Sequence, residues 1–285
     1  MDVALRVRIQ GAVMPTDSSA PVVVGIDGSD ASTDAALWAI DEAISRDVAL
    51  LLVHVIPVAH APEEPIDPTM LEGEYAETAL RAASAVVAAA DRPVKVETEI
   101  VWGRPDLAML EMSRRASMVC VGSVGIGFIA RRFLGSTAAA LAERAHCPVA
   151  ILRSPHQVSS AGTDWIVVPV DASPGNADVV EFAMDEARLR HAPVLAVGVW
   201  DDDFGDTSYD ELDQRVSEMT RRHPGVHVYP VATRSRVAGF LADNHGESIQ
   251  LAVLGANVAE QVAQIIGPHS RPLIAHGECS VVVVR

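Results

Sequence analysis

Apolar residues in this chain follow two alternating rhythms. A continuous run such as VVVGI at 22–26 is too short for a helix and rich in β-branched residues, the pattern of a strand buried on both faces. Behind it Leu37, Ile40 and Ile44 recur at steps of three and four, which predicts a helix capped by Ser32 and ending near Arg46. The alternation continues through a strand at 49–56, a helix at about 74–91, a strand at 94–101, a helix at about 105–116 and a strand at 117–122. A last helix at about 136–146 and a last strand at 148–153 complete the series. Five strands separated by four helices predict a parallel sheet with helices on both faces, joined by right-handed crossovers. In such a sheet ligands bind beyond the carboxyl ends of the strands, where the strand order reverses.

The series occurs twice. VVVGIDGSDAS at 22–32 resembles IVVPVDASPGN at 166–176, and at the same offset WAIDEA at 38–43 answers FAMDEA at 182–187 and LLVHV at 51–55 answers LAVGV at 195–199. VCVGSVG at 119–125 pairs with AVLGANV at 252–258, and CPVAILR from Cys147 with CSVVVVR from Cys279. The chain therefore reads as two tandem doubly wound five-stranded α/β domains of Rossmann-like type, at 21–153 and 165–285. The connector at 154–164, SPHQVSSAGTD, has the composition of a flexible linker. Residues 1–20 read as a loose extension: arginines interrupt the apolar run, so neither a signal peptide nor a membrane helix is predicted, and Met14 is a candidate alternative start.

Composition narrows the chemistry. The formal net charge of -16 repels DNA, RNA and anionic membranes. Lys95 is the single lysine and lies in the strand-like VKVETEI, so a lysine-based phosphate grip or Schiff base has no other residue to use, and no Walker loop is present. Aromatics at 4% leave few platforms for stacking bases. Cys120, Cys147 and Cys279 are scattered without a C-x-x-C, which argues against a disulfide framework or zinc site and favours a reducing, cytoplasmic setting.

The strand ends carry the candidate chemistry. After the fourth strand comes GSVGIGFIARRFLGST at 122–137, in which glycines let backbone amides approach a ligand and Gly135 leads into Ser136 and Thr137 at a helix start. Amides plus a helix N-terminus suit phosphate, with Arg131 and Arg132 able to add charge; a merely tight turn fits the same letters. Asp27, after the first strand, could meet a ribose hydroxyl or a phosphate-bound metal, or simply cap its own helix.

The spacing of Gly122, Gly125 and Gly135 followed by Ser136-Thr137 resembles the ATP-binding pattern of the universal stress protein family. VGIDGS with Asp27, LVHV ending at Val55 and the closing CPVAIL match as well, and the resemblance extends over both copies. It implies a protein that binds ATP, with Mg2+ or Mn2+, and responds to it as a regulator; the competing expectations are a slow ATP hydrolase and an interaction module indifferent to nucleotide. By that resemblance Ile26 and Val55 would line the adenine site, Asp27 would sit at the ribose or the metal, and Gly122, Ser123, Gly125, Gly135, Ser136 and Thr137 would hold ribose and phosphates. Gly25 is a weaker candidate beside them. The resemblance also implies pairing of the fifth strands across a two-fold axis, making one chain a pseudo-dimer, with a further homodimer and an unidentified regulatory protein as partners. Gly122→Ala and Asp27→Ala are expected to remove ATP binding and leave the fold intact.

The second copy departs from the pattern. Asp171 and Gly255 are kept, but Val258 stands for Gly125, and Gly267 is followed by Pro268-His269-Ser270, where proline removes an amide donor. Asp171, Gly255, Gly267 and Ser270 are therefore the weaker candidates of a second site expected to bind poorly. The acidic run DDDFGD at 201–206 lacks the ligand spacing of a calcium loop and reads as a solvated loop. His54 reads as a hydrogen-bonded core residue, and Cys147 and Cys279 as packing. No hydrolase, zinc-protease or triad motif appears.

Overall fold

The computed structural model of the chain describes residues 5–9, 19–57, 68–123, 134–153, 164–199, 207–243, 249–256, 259–266 and 279–285. It divides into two compact units, Met1–Ser154 and Pro155–Arg285. In the first, β1 (Leu5–Ile9) and β2 (Val22–Gly25) precede α1 (Asp30–Ser45), β3 (Leu50–Ile56), α2 (Pro68–Ala89), β4 (Val96–Trp102), α3 (Pro105–Met112), β5 (Met118–Gly122), α4 (Ser136–Arg144) and β6 (Val149–Leu152). The strands run in the order β1-β4-β3-β2-β5-β6, and each neighbouring pair is parallel. The order reverses between β2 and β5, the place where an open α/β sheet presents its ligand crevice.

Two expectations need correcting in this unit. Leu5–Ile9 is a strand that pairs with β4 from Leu5 opposite Thr98 to Ile9 opposite Trp102. The arginines that interrupt the apolar run are the polar half of a period-two alternation, LRVRI, which is strand patterning. The cap of α1 is Ser29, whose hydroxyl accepts from the Ser32 amide at 3.2 Å; Ser32 is buried and its own hydroxyl donates to the Ser29 carbonyl at 2.8 Å. The face of α1 that meets the sheet is Ala31, Ala35, Ala36, Ala39, Ile40 and Ala43, while Leu37 points outward. Small side chains let this helix lie close to the sheet, and that closeness matters at the site.

In the second unit β7 (Trp165–Pro169), α5 (Asn176–Arg190), β8 (Val194–Val199), α6 (Thr207–Arg222), β9 (Val228–Thr233), α7 (Val237–Asp243), β10 (Ile249–Gly255), α8 (Ala259–Ile266) and β11 (Ser280–Val284) repeat the plan in the order β11-β10-β7-β8-β9. The shared motif WAIDEA/FAMDEA proves structural. Glu42 is fully buried and paired with Arg46 at 2.5 Å; Glu186, 2% exposed, is paired with Arg190 at 2.9 Å one helical turn on. A buried carboxylate needs such a partner. No helix among the described residues is long and apolar enough to cross a membrane, and Cys120, Cys147 and Cys279 are not joined to one another in a disulfide.

Candidate functional site

The sheet brings Gly25, Ile26 and Asp27 of β2 and its exit, Val55 of β3, and Gly122 and Ser123 of β5 to one end, with Gly135, Ser136 and Thr137 at the start of α4. Gly125, Arg131 and Arg132 lie outside the described residues, as do Gly267, Ser270, the run 201–206 and most of the connector.

Asp27 organises the turn after β2. Its Oδ1 accepts from the Ser29 amide at 2.9 Å and from the Ser29 hydroxyl at 2.6 Å, so the residue fixes the cap of α1 while Oδ2 is left out of both bonds. Gly28 between them has φ +88°, a conformation that suits glycine. The Tyr75 hydroxyl of α2 donates to the Asp27 carbonyl at 3.0 Å, and a Cβ on Gly28 would stand 2.5 Å from that hydroxyl oxygen. Tyr75 also meets the buried His54 ring edge-on, centroids 5.8 Å apart. Nothing in the sequence singled out Tyr75; its helix begins six residues earlier than the apolar period suggests.

His54 is buried as expected, but its Nδ1 has no hydrogen-bond partner. Burial holds its pKa below the ordinary 6.5, outweighing the Ile26 backbone and the Asp27 charge, which pull upward. Ile26 is buried, with its amide on the Val53 carbonyl at 2.8 Å, and Val55 is half-buried opposite Val101.

The glycines do different jobs. A Cβ on Gly122 would lie 2.9 Å from both the carbonyl carbon and the Cβ of Ala31, so this glycine admits the first turn of α1 against β5. Gly122→Ala therefore disturbs the fold as well as any ligand, contrary to expectation. Gly25 is likewise a packing position, where an added Cβ would meet Val121 at 3.2 Å and Met109 at 3.3 Å. Gly135 is open: the nearest neighbour of a Cβ there is the Ser123 carbonyl oxygen at 3.6 Å. The Gly135 amide donates to that same carbonyl at 3.0 Å, and the buried Ser123 donates its amide to the Leu152 carbonyl at 2.7 Å. These bonds tie the start of α4 to the end of β5.

Among the described residues, helix α4 begins without a side-chain cap and with no acidic residue in its first turn. The amides of Ser136, Thr137 and Ala138 precede the first possible intrahelical acceptor, leaving donors and the positive end of the helix at the crevice. No cluster of three metal-ligating side chains occurs among the described residues.

The second unit rebuilds the same turn with other groups. Asp171 Oδ1 accepts from the Ser173 amide at 2.8 Å and, in a short contact, from the Ser173 hydroxyl. Asn176 replaces Ser32, donating to the Pro169 carbonyl at 2.9 Å and accepting from the Asp171 amide at 3.2 Å. Arg215 takes the role of Tyr75, donating to the Asp171 carbonyl at 2.8 Å. A cavity of about 570 Å3 opens here, lined by Asp171, Asn176, Gly255, Gln261, Arg236 and Arg285 among others.

A family model described as "Universal stress protein family" matches residues 19–153. A universal stress protein of Mycobacterium tuberculosis is 47% identical over 264 residues, covering 93% of this chain and 96% of the relative. A second from the same organism is 40% identical over 275 residues, covering 92% and 95%. Among solved structures, a universal stress protein from Archaeoglobus fulgidus aligns with a TM-score of 0.68 at 19% identity, covering 93% of this chain and 96% of its own, a likeness of fold.

Proposed function

The chain belongs to the universal stress protein family, and from that premise we propose that its first unit binds ATP as a regulatory ligand. The observation that carries the reading is the uncapped start of α4, fastened to β5 through the Gly135–Ser123 bond at the point where the strand order reverses. Three amides with no intrahelical acceptor face an anion more readily than water alone, and a phosphate supplies the missing acceptors. The residues present fit the nucleotide. Ile26 and Val55 give an apolar floor for the base, Asp27 Oδ2 suits a ribose hydroxyl or the divalent ion, and Ser136 and Thr137 add hydroxyl donors. Without three clustered protein ligands among the described residues, Mg2+ or Mn2+ would arrive on the triphosphate, supplying charge neutralisation there. An overall charge of -16 opposes a triphosphate, so affinity must come from these local donors.

The test uses freshly purified full chain. Denaturation should release adenine nucleotide, isothermal titration of stripped protein should give saturable ATP binding, and ADP should not accumulate over hours. Steady ADP formation replaces the regulatory reading by hydrolysis. Absence of both co-purified and added nucleotide leaves the interaction module as the better account.

A further inference from the structure

The opposite end of the second unit holds a feature that the nucleotide reading does not use. Where β7, β8 and β9 begin, a cavity of about 490 Å3 is lined by Trp165, Arg188, His191, Pro193, His227 and Tyr229, with small and proline residues between them. That volume lies in the range of small-molecule sites, about 300–1,000 Å3. Trp165 and Tyr229 meet edge to face, centroids 5.2 Å apart at 83°, and form a right-angled apolar corner.

Charge points the same way. The chain carries 38 acidic against 22 basic residues, yet among the described residues no carboxylate lines this cavity; its ionisable groups are two histidines, one tyrosine and Arg188, which also pairs with Asp185 on its own helix. The first unit has no counterpart of this lining. At the positions of Trp165 and His191 it carries Pro21 and Asp47, and His227, whose carbonyl accepts from Val194, stands where Lys95 accepts from Leu50. Glu97 occupies the place of Tyr229 and is engaged in an ion pair with Lys95 at 2.8 Å. The aromatic corner and the absence of carboxylates are thus particular to the second unit.

We propose that this cavity is a binding site for a planar aromatic carboxylate. The ring stacks into the corner of Trp165 and Tyr229, and the carboxylate accepts from the cavity's donors, with Arg188 and the imidazoles of His191 and His227 available to it. Binding is non-covalent and independent of ATP, since the site stands at the amino ends of the strands.

Isothermal titration of the full chain with 2-naphthoate tests this, with neutral 2-naphthamide as the uncharged comparison. Saturable one-to-one binding of the carboxylate is expected, with the amide weaker by about tenfold, the usual advantage of a charge-assisted contact. Trp165→Ala and Tyr229→Ala, each of which removes one wall of the corner, should each weaken 2-naphthoate by about fivefold or more, while Glu97→Gln in the first unit leaves it unchanged; circular dichroism checks that each variant is folded. Excess ATP should not displace the probe. No saturable binding by folded wild-type chain at millimolar probe overturns the proposal, as do wild-type affinities in Trp165→Ala and Tyr229→Ala, equal binding of the amide, or displacement by ATP. Failure of the nucleotide reading would leave these results untouched.

Discussion

Gly122→Ala is the substitution that separates a packing glycine from a ligand-facing one. The added methyl would stand 2.9 Å from the carbonyl carbon and Cβ of Ala31 and 3.1 Å from its oxygen, whereas relaxed carbon contacts lie near 3.5–4.0 Å. Relief requires the first turn of α1 to move by about half an ångström or more, and that turn is held by the Ser29 cap and by buried Ala31, Ala35 and Ala39. Overpacking of this kind costs about 1–3 kcal/mol, from which the stiffer unfolded chain of alanine returns about 0.4–1 kcal/mol. The net loss of about 1–2 kcal/mol lowers the unfolding temperature of the first unit by about 2–8 °C. Gly135→Ala, with 3.6 Å of room and φ -59°, should change stability by no more than about 0.5 kcal/mol yet weaken ATP if phosphate approaches that backbone closely. Scanning calorimetry and ATP titration of both variants decide. A Gly122→Ala chain with wild-type unfolding temperature and wild-type amide exchange along α1 would refute the packing argument and return Gly122 to the ligand.

Asp27→Ala removes the acceptor for the Ser29 amide and hydroxyl and should cost about 1 kcal/mol in the first unit, with ATP affinity falling further than in Asp27→Asn, which keeps one oxygen; equal affinities in the two variants would contradict a role for the carboxylate. Arg46→Ala removes the 2.5 Å partner of fully buried Glu42 and should destabilise the first unit by about 3 kcal/mol, and Arg190→Ala should do the same to the second; calorimetry with an unshifted transition in either would speak against the buried pair. His54 has a folded pKa below 6.5, so the unfolded chain takes the proton first as pH falls: its contribution is complete above about pH 6.5 and is lost as pH drops from there through the folded value. His54→Gln should flatten the fall in first-unit stability between about pH 7.5 and 5, and parallel curves for the two proteins would show that another group titrates.

Much of the sheet was legible because burial on both faces leaves long apolar runs, and VVVGI, LLVHV and VCVG could be little else. The buried face of the helix against them is hard to find in the sequence for a physical reason. Alanine carries little weight in a search for apolar stripes, yet it is alanine at 31, 35, 36, 39 and 43 that faces the sheet, and the conspicuous Leu37 is 37% exposed. The same undervaluing hid the role of Gly122, whose function depends on how near Ala31 comes, a distance no single segment encodes. Asp27 was legible as a candidate but its two readings are not exclusive: one oxygen builds the turn and the other takes no part in those bonds. Tyr75 was illegible because its contact with Asp27 joins residues far apart in sequence, across a helix whose start gave no apolar period.

Some constraints recur in both copies and others are confined to the first. The Asp–Ser turn, the buried Glu–Arg pair and the left-handed residue after the first helix, Asp47 or His191 with φ 52° in both, recur although the sequences around them differ, so folding alone is enough to retain them. The glycine spacing after β5 and the Gly135-Ser136-Thr137 sequence are not repeated after β10, and folding did not require them. Asp27 and Asp171 hold their turns alike, so retention of an aspartate there says little about nucleotide. The discriminating residues are those that the second unit could lose and still fold, above all Gly135, Ser136 and Thr137. Substitutions at these three, with Gly122 left alone, are therefore the ones whose effect on ATP can be read as contact.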